Sequence, residues 1–179
     1  MIFQITGYPR SGTAWLATMF NLAPEVFAYH ELAMVDKDWK YTLMARALEG
    51  KVVGDIGTYQ YFPKAVIPES VKVFIHQDPV VAWRRAERAL PTLPIDQICY
   101  RDCESLYEKW FSQWNPHVVP YDHLFKLENL KVIWEMCLPD SIQFPTQKVK
   151  QLLRMNVQLH NPGQYLSSPD SVSRLAELI

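Results

Sequence analysis

The chain has 179 residues, 49% of them hydrophobic and 21% charged, with a formal net charge of −1. That length suits one domain over residues 1–179 with a single sizeable core. The near-zero charge excludes a global field that would draw the molecule to nucleic acid or anionic lipid, so any basic site must be local. No apolar run approaches the length of a membrane span, and the first strand begins at Ile2, too early for a signal peptide. Three scattered cysteines, Cys99, Cys103 and Cys137, have neither metal-ligand spacing nor an even count. The expectation is a cytoplasmic protein with reduced thiols and no membrane contact.

In chain order, the apolar run Ile2–Ile5 is a strand, Gly7–Thr13 (GYPRSGT) a tight loop and Ala14–Leu22 a helix. Strand, glycine-containing loop and helix build an anion site, because loop and first-turn N–H groups converge and the helix dipole adds partial positive charge. Arg10 adds a full charge; Ser11 and Thr13 add hydroxyl donors. Gly7 and Gly12 keep the G-x-x-x-x-G spacing of a phosphate-binding loop. The lysine that normally follows is absent, since Gly12 leads into Thr13-Ala14, and the cation lies inside the loop as Arg10. Pro24-Glu25 breaks the chain before a short strand, Val26–Tyr29, that ends at His30-Glu31. Trp39–Leu48 has helical periodicity and stops at Gly50. Lys51–Asp55 is the next strand, with Gly57-Thr58 as a loop after it. Tyr59–Val66 is an aromatic-rich short helix, and Tyr59, Tyr61 and Phe62 there suit either an acceptor pocket or core. Val71–His76 is a strand, and Asp78-Pro79 is an N-cap and first helical position for a helix to about Leu90. A long helix over Asp96–Trp114 ends at Asn115-Pro116. His117–Tyr121 is a strand and Leu127–Cys137 a helix, followed by helical pieces near Lys148–Met155 and Asp170–Leu178.

Short strands alternating with helices imply crossover connections and a parallel sheet. The fold class is therefore α/β, a three-layer P-loop NTPase-like fold with a central parallel sheet flanked by helices. Ligands bind at the carboxyl ends of such strands. That places Gly7–Thr13, His30-Glu31, Asp55, His76-Gln77-Asp78 and Tyr121-Asp122 on one side of the molecule.

The string Pro9–Leu16, PRSGTAWL, resembles the P-[KR]-[ST]-G-T-T-W-[LV] signature that sulfotransferases carry after their first strand. VKVFIHQDPVVAWRRAERAL is similar to that family's strand–R-[DN]-P–helix segment, and HVVPYDHLF to its strand ending in Y-E-D-L. VVGDIGTYQYFP resembles a strand and loop that contributes a catalytic carboxylate in some members. The resemblance runs from about Met1 to Leu138. It implies a loop, Tyr8, Pro9, Arg10, Ser11, Gly12 and Thr13, that holds the 5′-phosphosulfate end of 3′-phosphoadenosine 5′-phosphosulfate, with Trp15 stacking on adenine. It implies sulfuryl transfer to a hydroxyl or amine acceptor, with no metal. The chain departs from the pattern at Ala14, where the family has a second threonine. Gln77 stands where the family has an arginine for the donor's 3′-phosphate, and Arg85 where it has a serine. Arg85, four residues after Val81, is expected on the helix face toward the sheet, with its guanidinium where the missing arginine's would be. The family's R-K-G loop for the 3′-phosphate has no counterpart here.

The acceptor needs a base, a His or a carboxylate. Glu31 follows the second strand, where some bacterial sulfotransferases place a catalytic glutamate; His30 and Asp55 are the other candidates. Each has a plain structural reading too, Asp55 as a helix cap and His30 as a satisfied buried residue. Tyr121 and Asp122 suit capping of the next helix, His76 suits packing beside Phe74, and Arg84 and Arg88 suit a solvated face. Two other functions fit the loop. One is ATP- and Mg²⁺-dependent phosphotransfer, with Lys51–Asp55 as the acidic strand; the other is a nucleotide-binding module without catalysis.

Overall fold

β1 (Ile2–Gly7) is the centre of a five-stranded sheet whose other members are β2 (Val26–His30), β3 (Val52–Thr58), β4 (Val71–His76) and β5 (His117–Pro120). All pairings are parallel, and the strand order is β2-β3-β1-β4-β5. The computed structural model describes residues 1–8, 11–58, 66–89, 108–109 and 111–155. The central strands are buried on both faces, Gln4, Thr6 and Asp55 included, because helices cover both. These are α1 (Thr13–Phe20), α2 (Leu32–Val35), α3 (Trp39–Leu48), α4 (Pro79–Ala89), α5 (Tyr121–Leu124), α6 (Leu127–Cys137) and α7 (Thr146–Leu152).

The strand order decides which helix covers which face. From β1 the chain crosses over β3 to reach β2, whereas β2 to β3 and β4 to β5 run the other way. Right-handed crossovers then put α1 on one face and α3 and α4 on the opposite one. The core agrees. Phe3, Ile5, Ile56 and Ile75 pack with Leu16, Phe20, Trp134 and Leu152 of α1, α6 and α7. On the other face Tyr29 and Val53 pack with Trp39 and Leu43 of α3, and Tyr8 and Phe74 pack with Ala82 of α4. The chain thus leaves β1 toward one face and β4 toward the other, and the crevice between such connections is where α/β sheets bind ligands. This is a three-layer α/β fold of the P-loop NTPase-like type, with the glycine-containing loop at its central strand.

Several elements differ from expectation. β3 continues to Thr58, because Gly57 and Thr58 pair with Thr6 and Gly7 of β1. Asp55 is therefore in the middle of a strand, opposite Gln4 and Tyr29, and not at its end. Tyr121 opens α5 instead of closing β5, and α6 takes Lys126 as its N-cap, so Tyr121 and Asp122 do not cap it. His76 is exposed. Pro9, Arg10, Tyr59, Tyr61, Phe62, Cys99, Cys103 and the helix expected over Asp170–Leu178 lie outside the described residues. Of the helix expected over Asp96–Trp114, residues 108–109 and 111–114 are described and are helical. Among the described residues no helix is long and apolar enough to cross a membrane.

Candidate functional site

The loop after β1 is held by its two glycines. A side chain on Gly7 would run into the Ser11 hydroxyl and come within 2.9 Å of Ser11 Cβ and 3.0 Å of the Ile75 carbonyl. Gly12 is the N-cap of α1 at φ 81°, where an added Cβ would also lie 2.9 Å from the Phe125 ring. Only glycine takes that left-handed conformation cheaply. The Ser11 N–H donates to the Tyr8 carbonyl at 3.0 Å and draws the loop's ends together. Tyr8 contributes this carbonyl, while its ring is buried against Phe74.

Two hydroxyls are buried at the head of α1. The Ser11 Oγ has no hydrogen-bond partner among the described residues, although Ser11 is fully buried. A buried polar atom without a partner costs about 1–3 kcal/mol, a cost that an acceptor brought to the loop would remove. Thr13 Oγ1 lies 3.1 Å from His30 Nε2. A phosphate-type oxyanion at this helix terminus matches both hydroxyls and the dipole.

His30 and Glu31 come to the end of β2, whereas Asp55 lies in mid-strand on β3, so the three candidate bases do not meet at one point. Alternation along β2 puts His30 with Val26 and Ala28 on the α1 face, consistent with its contact to Thr13. Burial lowers the His30 imidazole to about 4, so the ring is neutral at ordinary pH. Asp55 alternates with Val53 and lies on the α3 face. It is fully buried, and its Oδ1 accepts the Leu32 N–H at 3.1 Å, which caps α2. Its Oδ2 has no partner among the described residues. Burial pushes the Asp55 carboxyl up to about 7, with the Leu32 and Ala33 N–H groups pulling against it. Glu31 is buried too and sits at φ 56°, the left-handed region that a glutamate rarely adopts. The extended backbone of β2 therefore stops at His30. Burial raises the Glu31 carboxyl above its usual range, and hydrogen bonds from the Thr58 hydroxyl and backbone pull it down. Thr58 pairs in register with Gly7, so this bond carries Glu31 to the edge of the loop.

Gln77 and Arg85 do meet. Arg85 Nη1 donates to Gln77 Oε1 at 3.3 Å, and its guanidinium lies 4.8 Å from the centre of the Tyr121 ring. Arg85 is nevertheless exposed, and Val81 is 44% exposed; the buried residue of this turn is Ala82. The Val81–Arg85 face looks outward, and Arg85 reaches back over the ends of β4 and β5. Trp15 is the other correction. Its N–H donates to the Leu152 carbonyl at 3.3 Å and its ring meets Phe125 edge-on, leaving 9% exposed. It is a core residue joining α1 to α7 and not an open platform for adenine. The Tyr121 contact was missed by sequence reasoning, because aromatic residues mark a cation's neighbour only once the fold is known. Among the described residues no three His, Cys, Asp or Glu side chains cluster as a metal site.

No protein-family profile and no curated protein matches the chain. Among solved structures it is similar to shikimate kinase from Bacteroides thetaiotaomicron, at 16% identity over 87% of this chain and 99% of that one, with a TM-score of 0.40. That likeness carries no argument about chemistry. The strand order and the glycine loop define a P-loop-type α/β domain on their own.

Proposed function

We propose that this domain is a nucleotide-dependent transferase that moves a sulfuryl group from 3′-phosphoadenosine 5′-phosphosulfate to a hydroxyl or amine. The observation that carries the reading is the pair of buried hydroxyls, Ser11 and Thr13, at the head of α1 in a loop that holds Arg10 and no Walker lysine. In this reading the loop N–H groups, both hydroxyls and Arg10 hold the 5′-phosphate and stabilise the charge that grows on it as it leaves. The acceptor oxygen or nitrogen attacks sulfur in line, the bond from sulfur to the phosphate oxygen breaks, and Glu31 takes the acceptor's proton. The raised carboxyl of Glu31, beside the loop through Thr58, suits a base better than an ordinary surface carboxylate. Arg85, braced by Gln77 and Tyr121, supplies a cation for the 3′-phosphate. The acceptor is left open.

A second reading, phosphotransfer from ATP with Mg²⁺, draws on β3 lying directly beside β1 with Asp55 on it and Asp55 Oδ2 unpartnered among the described residues. Against it, Oδ1 is already taken by Leu32 and the carboxyl is fully buried in mid-strand. Thermal denaturation with either nucleotide separates the readings. Saturating 3′-phosphoadenosine 5′-phosphate, at about 100 times its Kd, stabilises a folded protein by about 2.7 kcal/mol. It is expected to raise the melting temperature more than ATP with Mg²⁺ does; the reverse order would replace sulfuryl by phosphoryl transfer.

A further inference from the structure

The contact between His30 and Thr13 can form in two ways, and they have opposite consequences for the loop. In one, the Thr13 hydroxyl donates to His30 Nε2. The neutral imidazole then carries its proton on Nδ1, and that N–H is buried with no acceptor among the described residues. In the other, Nε2–H donates to Thr13 Oγ1 and Nδ1 is left as a bare lone pair. Without a ligand each arrangement leaves one donor unspent, Nδ1–H in the first and the Thr13 O–H in the second; an oxyanion at the head of α1 can accept the second but not the sealed Nδ1–H, so the second arrangement is the one that a bound anion selects. Burial also keeps the ring neutral, which leaves one proton for the two nitrogens.

The second arrangement frees the Thr13 hydroxyl proton. Thr13 is the first residue of α1, directly after the left-handed Gly12, and no other acceptor for its hydroxyl is present among the described residues. With Oγ1 already accepting from His30, the hydroxyl has its proton to give at the helix terminus. We propose that His30 is a positioning residue: its Nε2–H donates to Thr13 Oγ1 and turns that hydroxyl to donate to an oxyanion at the head of α1. This rests on the reading of the loop as an anion site, and it removes His30 from the candidate bases, since Nε2 is engaged and Nδ1 is sealed from solvent.

The test is a double-mutant cycle read by calorimetry with 3′-phosphoadenosine 5′-phosphate, alongside ¹⁵N-histidine spectra of the full chain. Thr13→Val and His30→Phe are each expected to weaken binding about tenfold, as for one lost hydrogen bond. The double variant is expected to be no weaker than Thr13→Val alone, because His30 acts through that hydroxyl. His30→Gln, whose amide N–H can occupy the place of Nε2–H, is expected to restore most of the affinity. With the nucleotide bound, the spectra are expected to show the Nε2–H tautomer. Additive losses, failure of His30→Gln to rescue, or the Nδ1–H tautomer in nucleotide-bound wild type would each overturn the positioning role while leaving the anion loop standing. Absence of binding by wild type would remove the loop reading and this inference with it. Should His30→Phe not fold, the wild-type tautomer decides alone.

Discussion

Glu31 holds a left-handed backbone, at φ 56°, between the last residue of β2 and the first of α2. For a residue other than glycine this costs on the order of 1–3 kcal/mol, and the fold maintains it by a bond from the Glu31 N–H to the Ile56 carbonyl at 3.0 Å. The strain brings the carboxyl to Thr58. If that placement serves proton abstraction, Glu31→Gln keeps the shape and loses the acceptor; turnover is expected to fall roughly 10²–10⁴-fold with donor affinity unchanged. Full turnover in Glu31→Gln, measured with any accepted substrate, would return the role to another group. Asp55 makes a different prediction, about stability. Its carboxyl is held up at about 7 against an ordinary 3.8. A group raised in this way stabilises the fold below its unfolded value, and the contribution is lost as pH climbs through about 7. His30, lowered from 6.5 to about 4, does the opposite: its contribution is complete above 6.5 and lost as pH falls toward 4. The two slopes oppose each other in wild type, so the difference between proteins is the informative quantity. Asp55→Asn keeps an acceptor for the Leu32 N–H and removes the titration. Its stability relative to wild type, from denaturant unfolding, is expected to rise steadily between pH 4 and pH 7. A flat difference would mean that Asp55 is ionised throughout.

At the scale of elements, the parts written in local chemistry were legible and the parts set by neighbours were not. Asp78-Pro79 reads as a helix start and is one: the Val81 N–H donates to Asp78 Oδ1 at 3.0 Å. Trp39–Leu48 reads as a helix stopped by glycine, and Gly50 sits at φ 80°. Gly57-Thr58 reads as a turn by composition, yet the register with Thr6 and Gly7 extends β3 through it, and register belongs to the partner strand. The face of α4 was misread because Val80-Val81-Ala82 is continuously apolar, and periodicity does not choose among three neighbours; the small Ala82 fits against the sheet and both valines stay out. Trp15 reads as a ligand platform from its motif, but α7 packs beside it and takes its N–H. α2 and α5, four residues each, are too short for a periodic signal. Of the candidate site, the close-packed Gly7 and the left-handed Gly12 of the loop were legible from the glycine spacing. The left-handed Glu31 carried no local sign, since glutamate is not a residue that favours that conformation.

At the scale of the whole molecule, a cation lies over the carboxyl ends of β4 and β5, and it comes from a helix face that the sequence was expected to turn toward the sheet. Arg85 extends from α4 to Gln77 beyond β4 and lies over Tyr121 at the end of β5. Gln77, eight residues earlier, and Tyr121, beyond β5, thus fix one guanidinium. An exposed arginine gains little from Gln77 alone, since the bond is neutral on the acceptor side and long at 3.3 Å. The arrangement gains more if the braced fork has an anion to hold, because an arginine–phosphate contact is charge-assisted and worth about 1.5–3 kcal/mol. In that case wild type is expected to bind 3′-phosphoadenosine 5′-phosphate more tightly than 5′-AMP by roughly ten- to a hundredfold, and Arg85→Ala to lose most of that preference. Arg85→Lys is expected to rescue little, since an ammonium neither stacks on Tyr121 as a plane nor offers a fork to two phosphate oxygens. Calorimetry of both nucleotides with the three proteins measures this directly. Equal affinity of wild type for both would leave Arg85 as a brace between α4 and the sheet and move the reading toward ATP or toward nucleotide binding without catalysis.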